Sequence, residues 1–267
     1  MIIDSIELKS SLPESDQYPF NLEIIKSFKK LKLSAAVTFL VGENGSGKST
    51  FLESLAAASS LPTIGEYELE EDPSLIPAKS LGKYFKIRWK HRTQKGFFMR
   101  AEDFFGFSKR MKKLSDELEE TALGYEATHV GDALNRAQGT LRGQRSQITN
   151  RYGDDLDNNS HGEGFFKVFQ SRLVSKGLYL LDEPETPLSP KKILSFLCII
   201  DEMVSNGSQF IISTHSPMLM AYPNAEILNF DESPIAKTDY QSLEHVTLTK
   251  GFLECPERYF NYLFDRD

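Results

Sequence analysis

Three short runs of the chain are apolar without alternation: VTFLV at 37–41, YLL at 179–181 and QFIIS at 209–213. Runs of this length with no polar face read as strands covered on both sides, as in a parallel sheet. The first passes into helical periodicity after residue 48, and a helix over Ser189–Ser205 separates the second from the third. An N-terminal strand is expected at Ile2–Leu8. KYFKIRWKHR instead alternates strictly, with Phe85, Ile87 and Trp89 on one face and Lys86, Arg88 and Lys90 on the other. That pattern predicts a half-buried antiparallel strand with a basic outer face. Phe165, Phe166, Phe169 and Leu173 recur at helical spacing, as do Met111, Leu114, Leu118 and Ala122. The second helix carries Lys and Arg early and Glu late, against the helix dipole, so it should depend on packing. LPTIGEYELEEDPSLIP reads as an acidic connector, and the Gly-, Arg- and Gln-rich stretch 138–152 as a mobile loop.

The 267 residues suffice for one large α/β domain, and 26% charged residues is an ordinary balance for a soluble chain. No apolar run approaches the ~20 residues that span a bilayer. MIIDSIELKS does not resemble a signal peptide. Cys198, within ILSFLCII, reads as a buried reduced thiol, and a cytoplasmic location is expected. Charge is unevenly spread. Residues 79–113 hold twelve lysines and arginines against two acids, in a chain of net charge −7. Such a segment could contact nucleic-acid phosphates or form a solvated outer face offset by the acidic remainder.

Between the first apolar run and its helix lies Gly42-Glu43-Asn44-Gly45-Ser46-Gly47-Lys48-Ser49, followed by Thr50, which fits G-x-x-x-x-G-K-[ST]. Glycines there turn backbone N–H groups onto phosphate oxygens at a helix N-terminus. Lys48 would reach the β- and γ-phosphates of ATP, and Ser49 would hold Mg²⁺. Asp182 emerges at the end of the second strand, where it can bind Mg²⁺ through water, with Glu183 beside it to take a proton from an attacking water. His215 follows the third strand, so one helix brings it back beside the Asp-Glu pair as a candidate γ-phosphate sensor. Upstream, Ser160 and Glu163 fit a capping box at the start of a helix, and that terminus is also an anion site.

These motifs, GENGSGKST, SHGE, LDEPE and THSP, resemble the ATP-binding cassette (ABC) class of ATPases, and in particular its stand-alone bacterial members. The tail at 245–264 resembles the ending of that family too, and the SMC, RecF and overcoming-lysogenization-defect ATPases are similar in kind. The resemblance implies an α/β P-loop NTPase with a mostly parallel core sheet, an antiparallel β subdomain and a helical insertion. It implies one domain over 1–267, with 60–157 as the variable insertion. It implies ATP hydrolysis in a head-to-tail homodimer, with Ser160, His161 and Gly162 as the signature motif facing the other chain's nucleotide. His161 stands where the family has glycine. The resemblance further puts Glu102 at the Q-loop position near the metal, in place of Gln. The D-loop would be Thr186-Pro187-Leu188-Ser189, with Ser where Asp is common. Tyr18 is expected to stack on adenine, with Phe20 as its rival. The output would pass to a protein effector or a nucleic acid, in DNA repair or phage defence. A transporter's nucleotide-binding subunit, or an interaction module with little hydrolysis, are the alternatives.

Overall fold

The first strand, β1 (Ile3–Leu8), does not join the main sheet. A short helix α1 (Glu23–Ser27) leads to β2 (Lys30–Lys32), which pairs with β1 antiparallel. The P-loop strand is β3 (Val37–Val41), and α2 (Lys48–Ser59) leaves it. After α3 (Ile76–Gly82), β4 (Phe85–Trp89) returns to pair antiparallel with β1. The expected alternating strand is therefore present, in a three-stranded antiparallel sheet ordered β2-β1-β4. Its basic face is partly compensated, since Lys30 and Arg88 both bond Glu7 and draw that carboxyl down to about 2.

The chain then enters the core at β5 (Gly96–Arg100) and leaves it through two long helices, α4 (Asp103–Gly124) and α5 (Asp132–Tyr152). The stretch 138–152 is thus helix, not a loop. Packing against α4 outweighs the poor helix propensity of its glycines, and Gln138 Nε2 donates to the Ala122 carbonyl at 2.9 Å. On α4, Met111 and Ala122 are buried as expected, whereas Leu114 is exposed. The remaining elements are α6 (His161–Arg172), β6 (Leu178–Asp182), α7 (Pro190–Ser205), β7 (Gln209–Ser213), α8 (Pro217–Met220), β8 (Glu226–Asn229), β9 (Ala236–Lys237), α9 (Glu244–Glu254) and α10 (Pro256–Leu263). The computed structural model describes residues 1–9, 12–64, 72–125, 131–152 and 161–264.

The main sheet runs β5-β6-β7-β3-β8-β9, and every pairing except β8–β9 is parallel. Strict alternation splits it between two cores. Val37, Phe39, Tyr179, Leu181, Phe210 and Ile212 face Phe165, Phe169 and Phe196 of α6 and α7. Leu40, Leu178, Leu180 and Ile211 face α2 and the small sheet. Gln209 ties the two sheets together: its buried Oε1 accepts from the backbone N–H groups of Ile2 and Ile3, both at 2.7 Å. Cys198 is a correction. Ile193, Phe196, Ile200 and Met203 form the inward stripe of α7, so the helical period turns Cys198 out to solvent despite its apolar neighbours.

Candidate nucleotide site

Parallel strands β6, β7 and β3 lie side by side, so their C-terminal ends gather Asp182, Ser213 and the P-loop at one edge. This is the edge where open α/β sheets place ligands. The loop over residues 42–47 holds its shape through glycines: Gly42, Gly45 and Gly47 all take positive φ, at +145°, +86° and +97°. A Cβ on Gly47 would also lie 2.8 Å from Ile24 Cγ2, so α1 braces the loop from behind. Lys48 is 5% exposed, and its Nζ donates to the carbonyls of Gly42 and Glu43 at 2.7 and 2.8 Å. Burial holds its ammonium below the usual range, against the pull of Asp231, Asp182 and Glu183. Asn44 is exposed and Ser46 half-buried.

Asp182 is buried, and its Oδ1 has no hydrogen-bond partner among the described residues. Burial raises its carboxyl pKa, while the neighbouring Ser49 and Ser213 hydroxyls favour the charged form. A carboxylate oxygen so enclosed beside a serine hydroxyl suits a hard divalent cation. Among the described residues no cluster of three or more His, Cys, Asp or Glu could cage a metal. Mg²⁺ here would therefore take the remainder of its coordination from phosphate and water, as Mg²⁺ in phosphoryl-transfer sites does.

Glu183 leaves the strand with φ of +48°, a left-handed turn in a non-glycine residue. Its N–H still donates to the Ser213 carbonyl at 2.9 Å. The turn leaves its carboxylate about half exposed, 3.8 Å from His215 Nε2. Strain of this kind costs ~1–3 kcal/mol and gathers at functional sites. Burial, then the charge of Lys48, hold the His215 imidazole below its usual pKa. It is therefore neutral near pH 7, able to donate or accept a hydrogen bond.

Tyr18 and Phe20 separate clearly. The Tyr18 hydroxyl bonds Thr50 Oγ1 at 2.8 Å, and its ring is half exposed next to the P-loop helix. Phe20 packs edge-on against Tyr84, away from the loop. Glu102 follows β5 where Arg100 pairs in register with Asp182, but its carboxylate is 77% exposed. The inward-facing group is Arg100, bonded to Asp103 at 2.6 and 3.0 Å, Asp72 at 2.8 Å and Glu53 at 3.3 Å. Burial works against its charge, and these acids outweigh it, Asp103 foremost, raising the guanidinium pKa. Ser160 lies outside the described residues. The backbone of His161 and Gly162 opens α6.

Three residues that the motifs do not flag join the site. Glu185 is buried, and its Oε1 accepts from Thr214 Oγ1 at 2.6 Å and from the His215 N–H at 2.9 Å, which fixes the histidine loop. Burial raises its carboxyl pKa despite those bonds. Asp231, after β8, accepts from the Glu43 N–H at 2.7 Å. His245 of α9 stacks on His215, ring centroids 5.5 Å apart, and the Nε2 atoms of both are enclosed without hydrogen-bond partners among the described residues. Glu185 lies only two residues past Glu183, so a second carboxylate in LDEPE was a usable signal. Asp231 and His245 reach the site from distant segments, and although His245 opens the tail at 245–264, nothing local ties either residue to the P-loop.

Residues 164–221 match the family model described as "AAA domain, putative AbiEii toxin, Type IV TA system". The chain is 28% identical over 185 residues to a "Putative ABC transporter ATP-binding protein" of Methanosarcina acetivorans, covering 66% of this chain and 62% of that one. It is 22% identical over 219 residues to the "Nopaline permease ATP-binding protein P" of Agrobacterium fabrum, covering 80% and 82%. Among solved structures it is similar to cbiO1 from Clostridium perfringens, at 13% identity and TM-score 0.49, covering 99% of this chain and 100% of that one. With its motifs in order on adjacent parallel strands and these sequence relatives, the chain is similar to the ABC class of P-loop ATPases.

Proposed function

We propose that the chain hydrolyses ATP with Mg²⁺ and closes on a second copy of itself around two nucleotides. The observation that carries this reading is the strained Glu183, set between Lys48 and His215 at the strand ends. Lys48 and the P-loop N–H groups would hold the phosphates, and Ser49 and Asp182 would hold the metal, which would supply positive charge against the phosphate oxygens. Glu183 accepts a proton from the attacking water. His215, fixed through Glu185 and neutral near pH 7, donates a hydrogen bond to the transferring γ-phosphoryl group. Tyr18 would lie against the adenine, and Glu102, whose carboxylate is largely exposed, would serve the metal only through water. Ser160, His161 and Gly162 of the second copy complete each site from the N-terminus of α6. Closure then acts on a partner protein or a nucleic acid.

The printed names of the two sequence relatives favour a second reading, the nucleotide-binding subunit of a transporter. No helix among the described residues is long and apolar enough to cross a membrane, so that role would need membrane-spanning segments beyond these residues. Stable co-purification with a permease would replace the first reading by the second.

Steady-state phosphate release tests the catalytic claim. Glu183→Gln should lower it by ~10²–10⁴-fold, the range lost with a general base, while nucleotide binding persists. Equal rates in both proteins would leave only a nucleotide-dependent interaction module.

A further inference from the structure

The histidine loop, residues 214–217, is gripped from two sides. On one side Glu185 takes the Thr214 hydroxyl and the His215 N–H. On the other lies the segment that leads into α9. Tyr240, in the turn before that helix, donates from its hydroxyl to the Pro217 carbonyl at 3.1 Å. His245, in the first turn of α9, stacks on His215 with ring centroids 5.5 Å apart and planes 25° from parallel. Aromatic pairs attract at this separation when their rings are offset.

The Glu185 bonds fix the backbone of His215, but they do not set the plane of its ring. The torsion that turns an imidazole about its Cβ is broad, so neighbouring groups must choose its value. A hydrogen bond from one ring nitrogen is the usual device. Among the described residues none reaches His215 Nε2, which is enclosed without a partner. Glu183 Oε1, 3.8 Å from that nitrogen, is beyond hydrogen-bond distance and sits on a half-exposed side chain. The flat face of His245 is therefore the contact that selects the ring plane.

The competing explanation is that His245 only helps to seat α9. Its neighbours already do so, because Leu243 and Val246 are buried in the core beneath the main sheet. His245 lies between them in sequence, yet its half-buried ring meets the histidine at the nucleotide edge. Packing of α9 and contact with His215 thus fall to different residues.

We propose that His245 is a positioning residue for recognition of the γ-phosphate: its ring holds the His215 imidazole in the one plane from which it can donate to that group. This role rests on the reading of His215 as the γ-phosphate sensor, and it makes α9 a part of the nucleotide site. The stack acts only on a ligand that carries the third phosphate. Its loss should therefore weaken ATP and spare ADP.

The test uses the full chain carrying Glu183→Gln and Ser160→Arg, so that neither hydrolysis nor pairing contributes to nucleotide binding. Calorimetry reads the Kd of Mg·ATP and of Mg·ADP. His215→Ala sets the scale: it should weaken Mg·ATP by about tenfold, the loss of one hydrogen bond to a charged group, and leave Mg·ADP within about twofold. His245→Ala should weaken Mg·ATP in the same direction, by about threefold to tenfold, again sparing Mg·ADP. His245→Phe keeps a ring to stack and should return Mg·ATP to within about twofold of the parent. The unchanged Mg·ADP affinity also shows that each variant is folded. Undiminished Mg·ATP binding by His245→Ala, beside a loss in His215→Ala, overturns the proposal and leaves the sensor reading standing. Equal losses for the two nucleotides, or a phenylalanine variant no better than the alanine one, overturn it too. If His215→Ala itself spares Mg·ATP, the sensor reading fails and the proposal falls with it.

Discussion

Glu185 shows how much of the proposed phosphoryl-transfer site can rest on a residue that positions its neighbours. Its Oε1 takes both the Thr214 hydroxyl and the His215 N–H, two partly buried donors without another acceptor among the described residues. Glu185→Ala would leave both unsatisfied, which costs ~1–3 kcal/mol per group. Chemical denaturation should show a loss of that order, and phosphate release should fall because His215 is no longer fixed. Glu185→Gln keeps an acceptor oxygen and should recover most of the stability. Equal losses in the two variants would mean that the carboxylate charge, not the acceptor, matters. Glu53 offers a different test. Burial pushes its carboxyl from 4.5 up to about 7, against the attraction of Arg100. A folded pKa above the unfolded one means that the native state binds the proton more tightly. The stability from neutral Glu53 is therefore complete below about pH 4.5 and lost as pH rises through about 7. Glu53→Gln mimics the neutral form, so its stability relative to the parent chain should rise between pH 5 and pH 8. A difference that stays flat across that window would refute the assignment.

At the scale of elements, legibility followed the locality of the physics. The P-loop, the Asp-Glu strand end and the histidine loop were readable because each is a few contiguous residues whose chemistry demands one geometry. α7 was readable in extent but not in facing: a run as apolar as ILSFLCII hides its period, and only the packed helix shows that Cys198 points outward. α5 was misread because Gly139 and Gly143 lower helix propensity, while the compensating contact with α4 is tertiary. Asp231 and His245 stayed hidden because β8 and α9 must fold back before either approaches the P-loop. The start of β5 carries the sharpest structural prediction. Gly96 has φ of +117°, and a Cβ there would lie 1.8 Å from the Leu178 carbonyl oxygen, on the strand that delivers Asp182. Gly96→Ala must therefore shift backbone and not merely a side chain, at a cost above the ~1 kcal/mol typical of a point change. A drop in thermal midpoint of several degrees is expected. A midpoint within one degree of the parent would show that the β5–β6 edge adapts freely.

For the whole molecule, the question is why one chain would need another. The proposed catalytic and metal-holding groups Lys48, Ser49, Asp182, Glu183 and His215 all come from one side of the proposed nucleotide, the ends of β3, β6 and β7 and the loops that follow them. In the proposed pair, the N-terminus of α6 would be a separate anion-binding end that serves a phosphate held by the second copy. Two nucleotides between the two chains of that proposed pair would satisfy both sides at once, and hydrolysis would release them. Blocking hydrolysis should therefore trap the pair. On size exclusion, Glu183→Gln should elute as a monomer without nucleotide and as a dimer with Mg·ATP. Adding Ser160→Arg, which places a bulky cation where the second copy's nucleotide would sit, should restore the monomer without weakening nucleotide binding by each chain. Monomers under every condition would remove the paired arrangement while leaving single-chain ATP binding intact. Dimers that persist with Ser160→Arg would move the interface away from α6.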